Sequence, residues 1–124
     1  MSENLVLIFD DTGITLGGIA EVLGRGATVA LHPPVLMVST GRDACHLIDV
    51  SDEDRAEAGT FEGWPPEDVP TWPVAVFSMD YKSTELAVAI VRRLAGWRPL
   101  LVDTNFDRVV AGRDLEPGML VMPG

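Results

Sequence analysis

Cysteine occurs once in this chain, at Cys45, lysine once, at Lys82, and histidine twice, at His32 and His46. A single cysteine rules out an internal disulfide framework and fits a reducing compartment. Two histidines are too few for a typical zinc site unless carboxylates complete it. No apolar stretch runs uninterrupted for about 18 residues, the length a membrane-spanning helix needs. Nor does a basic start lead into an apolar run and cleavage site, and the expected location is the cytoplasm. The other eight basic residues are all arginine, a bias that hints at a GC-rich bacterial genome.

What the chain has in abundance is acid. Its 124 residues carry 19 acidic and nine basic side chains, a formal net charge of -10. Asp49, Asp52, Glu53, Asp54, Glu57, Glu62, Glu67 and Asp68 face only Arg55 across their stretch, a local net of -7 that leaves -3 for the remainder. A field of this sign repels nucleic acid and anionic membrane and speeds encounter with a basic partner. The hydrophobic fraction of 47% is that of a folded chain, and the length suits one domain over residues 1–124 with a core of its own.

The stretch from Val74 to Val110 is the most legible. Val74-Ala-Val-Phe-Ser-Met79 and Leu100-Leu-Val102 are apolar runs, and between them Leu86, Ala87, Ile90, Val91 and Leu94 recur at helical spacing. Ser83 is the expected N-cap, Glu85 and the pair Arg92 and Arg93 complement the helix dipole, Gly96 suits a left-handed C′ position and Pro99 stops the helix. Strand, helix, strand follows, with the two strands expected as a parallel pair joined by a right-handed crossover. Both runs are apolar on successive residues, so they belong at the centre of a sheet or under cover on both faces.

Earlier, Leu5-Val-Leu-Ile-Phe9 is a buried-strand candidate. Thr12 is the expected cap of a helix with the stripe Leu16, Ile19, Ala20 and Leu23, weakened by Gly17 and Gly18 and stopped at Gly24 or Gly26. Ala27 to Leu31 is a further run, broken by His32-Pro33-Pro34. Val35 to Ser39 and Ala44 to Val50 read as a hairpin around Thr40-Gly41-Arg42-Asp43. Residues 51–73 lose periodicity and gather Pro65, Pro66, Pro70 and Pro73 among acids and aromatics; Ser51 with the acids after it would start a short helix to Ala58. Asn105 is expected in a turn and Arg108 to Ala111 as the last strand. The halves echo each other as βαββ-type units. The expected fold is therefore α/β of the α+β kind: a two-layer sandwich in which two helices pack on one face of a mixed β-sheet.

Several motifs invite chemistry. Phe9-Asp10-Asp11-Thr12-Gly13 resembles the nucleophile motif of haloacid dehalogenase phosphatases, but its aspartates are adjacent and Thr precedes Gly, which misplaces the acid/base carboxylate. Asp11-Thr12-Gly13 also looks like the aspartic-protease triplet, with Val109 to Leu115 similar to the apolar-Gly-Arg segment of retroviral members. That activity would need a homodimer pairing two Asp11 side chains, and a strong helix has no place in that mostly β fold. The paired modules of the glyoxalase and bleomycin-resistance family match the coarse topology, yet Leu5 to Phe9 offers no ligand for a metal. Cys45 and His46, adjacent on a strand, point to opposite faces and cannot act as a nucleophile pair. Gly17-Gly18 and Gly24-Arg25-Gly26 lack a phosphate-binding fingerprint. No catalytic, metal or cofactor residue is assigned, and the chain is not expected to be an enzyme.

Val91-Arg-Arg-Leu-Ala95, Pro99-Leu-Leu-Val-Asp-Thr-Asn-Phe-Asp107 and Val109-Val-Ala-Gly-Arg-Asp114 resemble segments of small bacterial immunity proteins, the partners of secreted toxins. The resemblance implies a non-enzymatic protein that binds a cognate toxin. The expected contact surface is the acidic, Pro- and Trp-containing segment: Asp49, Asp52, Glu53, Asp54, Glu57, Glu62, Trp64, Glu67, Asp68 and Trp72, with aromatic anchors inside an acidic rim. The expected partner is a basic protein, with neither nucleic acid nor membrane bound. Two other readings stand beside it: a small-ligand-binding protein or enzyme with a site near Asp10 and Asp11, at a strand end, and an oligomeric structural component docking through Met119 to Met122.

Overall fold

The computed structural model describes residues 3–11, 13–49, 75–104 and 109–120. They form β1 (Glu3–Phe9), α1 (Leu16–Leu23), β2 (Thr28–His32), β3 (Val35–Thr40), β4 (Asp43–Asp49), β5 (Ala75–Tyr81), α2 (Thr84–Ala95), β6 (Leu100–Asp103) and β7 (Val109–Ala111). Short 3₁₀ turns follow at Gly112–Asp114 and Pro117–Leu120. The strands make one sheet in the order β2-β3-β4-β5-β1-β6-β7, and both helices pack on one of its faces. This is the expected two-layer α+β sandwich, with β1-α1-β2-β3 and β5-α2-β6-β7 as echoing halves and β4 added to the first.

The expected parallel neighbours are not neighbours. β1 lies between β5 and β6 and pairs antiparallel with each, Leu7 opposite Phe77 on one side and Val102 on the other. Every neighbouring pairing among the described strands is antiparallel, where a mixed sheet was expected. The physical reason lies in β1 itself. Its Leu7, Ile8 and Phe9 are all buried, so the strand needs a partner along each edge and cover on both faces, a demand met only at the sheet's centre.

Helix α2 forms as its sequence dictates. The Ser83 hydroxyl accepts from the Leu86 amide at 3.2 Å, Glu85 lies in the first turn, and Leu86, Ala87, Ile90, Val91 and Leu94 are buried along the predicted stripe. Its end differs. Gly96 keeps a right-handed φ of -72° and the Trp97 and Arg98 amides fold back onto the Leu94 carbonyl, so the last carbonyls are satisfied without a left-handed residue. Helix α1 is capped by Thr15, not Thr12: the Thr15 hydroxyl accepts from the Gly18 amide at 3.1 Å. Thr12 itself lies outside the described residues. The β3–β4 hairpin closes through Gly41, whose φ of 57° is the left-handed conformation that glycine adopts without penalty.

Between the helices and the sheet lies the main core. Phe9 and Phe77, side by side on β1 and β5, meet edge to face at 5.8 Å, and Trp97 lies against Phe9 from the helical layer. Arg92 Nε donates to the Leu115 carbonyl and Arg93 Nε to the Val22 carbonyl, tying α2 to the C-terminal turn and to α1.

Candidate functional site

Of the ten residues nominated from the sequence, Asp49 is described, and it is an exposed residue at the end of β4 in register with Phe77. Asp52, Glu53, Asp54, Glu57, Glu62, Trp64, Glu67, Asp68 and Trp72 lie outside the described residues, as do Asn105 and the expected helix from Ser51 to Ala58. The described ends of the segment are nevertheless informative. β4 and β5 are adjacent and antiparallel, so the chain departs after Asp49 and returns at Ala75 at one end of the sheet.

That end carries a second apolar cluster. Strand alternation sends Leu5, Leu7 and Phe9 towards the helices and Val6 and Ile8 to the opposite face. Ile8 pairs with Val76 on one side and Leu101 on the other, and Val6, Leu101 and Val109 pack around Ile8 and Val76. Ile8 is 3% exposed and Val76 fully buried, although both helices lie across the sheet. Sequence reasoning did not assign this face a role. Its signal was present in the runs that are apolar on successive residues, since such a strand has two apolar faces.

Along the same face the surface turns polar. Asn4 Nδ2 donates to the Ser78 hydroxyl and, at 2.9 Å, to Asp80 Oδ1. His46 is in register with Asp80 across the β4–β5 pair, exposed on this face, while its neighbour Cys45 is buried on the other. No hydrogen bond joins His46 to Asp80 or Ser78 among the described residues, so these three side chains are near one another without forming a proton relay. Burial, with a smaller push from the Asp43 charge, raises the Cys45 thiol to about 12, which keeps it protonated and non-nucleophilic at neutral pH.

At the other proposed site, Asp10 and Asp11 are both exposed where β1 ends. Asp11 Oδ1 accepts from the Gly13 amide at 2.7 Å, and the Ile14 amide reaches the Asp11 carbonyl, so this carboxylate holds its own turn while buried Ile14 anchors it. Among the described residues no three His, Cys, Asp or Glu side chains converge in a way that could hold a metal ion. His32 is exposed at the end of β2. No described helix is long and apolar enough to cross a membrane.

Two clefts remain. One, of about 480 Å³, lies between the ends of the helices beside Trp97, Gly18 and Arg93. There Trp97 stacks under the Arg98 guanidinium at 5.1 Å, and a Cβ on Gly18 would touch the indole at 3.4 Å, so its parts already serve to join α1 and α2. The other, of about 330 Å³, opens beside Arg42, His46, Asp80 and Lys82. Compared with known proteins, the chain matches no family model, no curated protein and no solved structure.

Proposed function

We propose that this chain is a non-enzymatic binding protein of the immunity or inhibitor kind, which neutralises a basic protein toxin in the cytoplasm through its acidic segment. The observation that supports the reading is where that segment is attached. Its anchor points, Asp49 and Ala75, sit on adjacent strands at one end of the sheet, where half-buried Val6, Leu101 and Val109 border the covered pair Ile8 and Val76. Half-buried apolar side chains with a charged stretch rooted near them are in keeping with a protein interface, in which apolar contacts hold the complex and a polar rim sets orientation. Eight acids against one arginine would draw a basic partner in and make association depend on salt. If the toxin is a nuclease, the clustered carboxylates can take positions that substrate phosphates would otherwise fill.

The test is a tagged pull-down from native lysate at low and high salt, comparing wild type with a variant neutralised at Asp52, Glu53, Asp54 and Glu57. The expected result is a stoichiometric basic protein retained by wild type at low salt, lost at high salt and absent with the variant. Retention of the same material by both forms, or of nothing by either, refutes the reading.

A further inference from the structure

The described sheet has β2 at one edge and β7 at the other, and β2 is the longer, five residues against three. The turn from β2 to β3 holds only Pro33 and Pro34, so His32 and Val35 are the hydrogen-bonded pair that closes the hairpin. Alternation then turns the amides and carbonyls of Val29 and Leu31 outward, away from β3, and no backbone group meets them there among the described residues. Folded proteins guard such an edge with lysine, proline, a bulge or a covering element. Thr28–His32 contains neither lysine nor proline, and its pairing with β3 runs one residue to one without a bulge.

The surroundings of this edge are equally bare of charge. Gly26 to Gly41 is a run of 16 residues without Asp, Glu, Lys or Arg, the longest such run in the chain. The large hydrophobic side chains that stand exposed among the described residues are Leu31, at 40%, and Met37, at 37%, and both belong to the β2–β3 hairpin. Leu31 lies on the helix side of the sheet, opposite buried Leu36, and Met37 lies on the other side, opposite Ala30. Charge decides which occupant fits. A basic partner of the kind the acidic segment attracts finds no carboxylate on β2 or β3, whereas a second copy brings up an equally uncharged strand, and no like charges on the paired strands meet.

We propose that β2 is a self-pairing edge, at which two copies of this chain join antiparallel about a two-fold axis at Ala30 and merge their sheets into one. In that register Val29 of each copy lies opposite Leu31 of the other, and every outward amide and carbonyl of the two residues finds a partner. The neighbouring registers do worse. Pairing Leu31 with itself sets Val29 against Pro33, which has no amide, and pairing Val29 with itself sets Leu31 against Ala27, whose amide already donates to the Leu23 carbonyl. The two-fold at Ala30 also covers Leu31 with the other copy's Val29 on the helix side and brings two small Ala30 side chains together on the opposite face, with a Met37 at each flank. A pairing of this symmetry closes on itself, so it ends at a dimer and not a filament. It uses no residue of the acidic segment and is independent of whether that segment binds a toxin.

The test is sedimentation equilibrium of the full chain over a wide concentration range, at low and high salt. The expected result is reversible association from 13.4 kDa to twice that mass, undiminished at high salt because salt screens the repulsion between two acidic bodies. Leu31→Lys, at an exposed position, should keep the wild-type Tm and weaken dimerisation at least tenfold. Ala30→Cys should cross-link into a covalent dimer on mild oxidation, since facing residues of a non-hydrogen-bonded pair hold their Cα atoms about 4.5 Å apart, within disulfide reach, while buried Cys45 stays reduced. The proposal is overturned if the chain stays at 13.4 kDa throughout, if high salt dissolves the dimer, or if Leu31→Lys dimerises as wild type does. A dimer in which Ala30→Cys fails to cross-link overturns the two-fold at Ala30.

Discussion

Gly112 is the position where adding one methyl group should tell most about how the two layers fit. It is buried in the 3₁₀ turn that follows β7, and a Cβ built there would lie 2.9 Å from Leu100 Cγ, 3.0 Å from Leu100 Cδ1 and 3.3 Å from the Ala95 Cβ. Those atoms cannot simply swing away. Leu100 is 6% exposed, with Cγ fixed close to the backbone of β6, and Ala95 belongs to the last turn of α2. Carbon contacts relax to about 3.5–4.0 Å, so Gly112→Ala must push β6 and α2 apart by several tenths of an ångström. Overpacking of this kind costs about 1–3 kcal/mol. Against it stands the loss of unfolded-state freedom when Gly becomes Ala, worth about 0.4–1 kcal/mol in favour of folding at a compatible backbone. The expected net is a destabilisation of about 1–2 kcal/mol, by difference of those two terms. For a chain of this length that lowers Tm by about 4–8 °C. Chemical denaturation followed by circular dichroism reads the change directly, and Leu100→Ala in the Gly112→Ala background should show a favourable coupling because it removes the struck atoms. A neutral or stabilised Gly112→Ala, or strict additivity in the double variant, would refute the close approach of β6, α2 and this turn.

Phe77→Ala should destabilise by about 3–5 kcal/mol, the usual cost of emptying an aromatic core site, because Phe77 is fully buried against Phe9; urea unfolding measures it. Gly41→Ala forces a left-handed φ of 57° on a residue with a Cβ and should cost about 1–2 kcal/mol, with no change in the unfolding slope, since nothing lies within contact of the new methyl. Cys45 should resist iodoacetamide in the folded protein and react once unfolded, as mass spectrometry of native and denatured samples will show. Its folded value is raised from an ordinary 9.0 to about 12, so between these limits the unfolded chain binds fewer protons than the folded one. Stability should therefore fall as pH rises from 9.0 towards 12, and Cys45→Ala should flatten that part of the curve.

The division between what was readable in the chain and what was not follows the range of the forces involved. Ser83, Glu85, the stripe from Leu86 to Leu94 and the terminal arginines all act within a turn or two of one another, and α2 formed where they pointed. The cap of α1 was misread by one turn because Thr12 and Thr15 are both good acceptors, and only the packed position of the helix selects Thr15. The clefts were invisible for another reason. Arg42, His46 and Lys82 are brought together by the register of β4 on β5, and a slip of one residue would send His46 to the opposite face.

By itself the sequence determined the element types, the two-layer α+β class and the concentration of negative charge between Asp49 and Asp68, because composition and periodicity are local properties. Tertiary structure alone decided that β1 enters between β5 and β6, and hence that their shared second face is apolar. Edge-to-edge pairing depends on which strands can satisfy each other's backbone and burial at once, and no single run of residues records that choice.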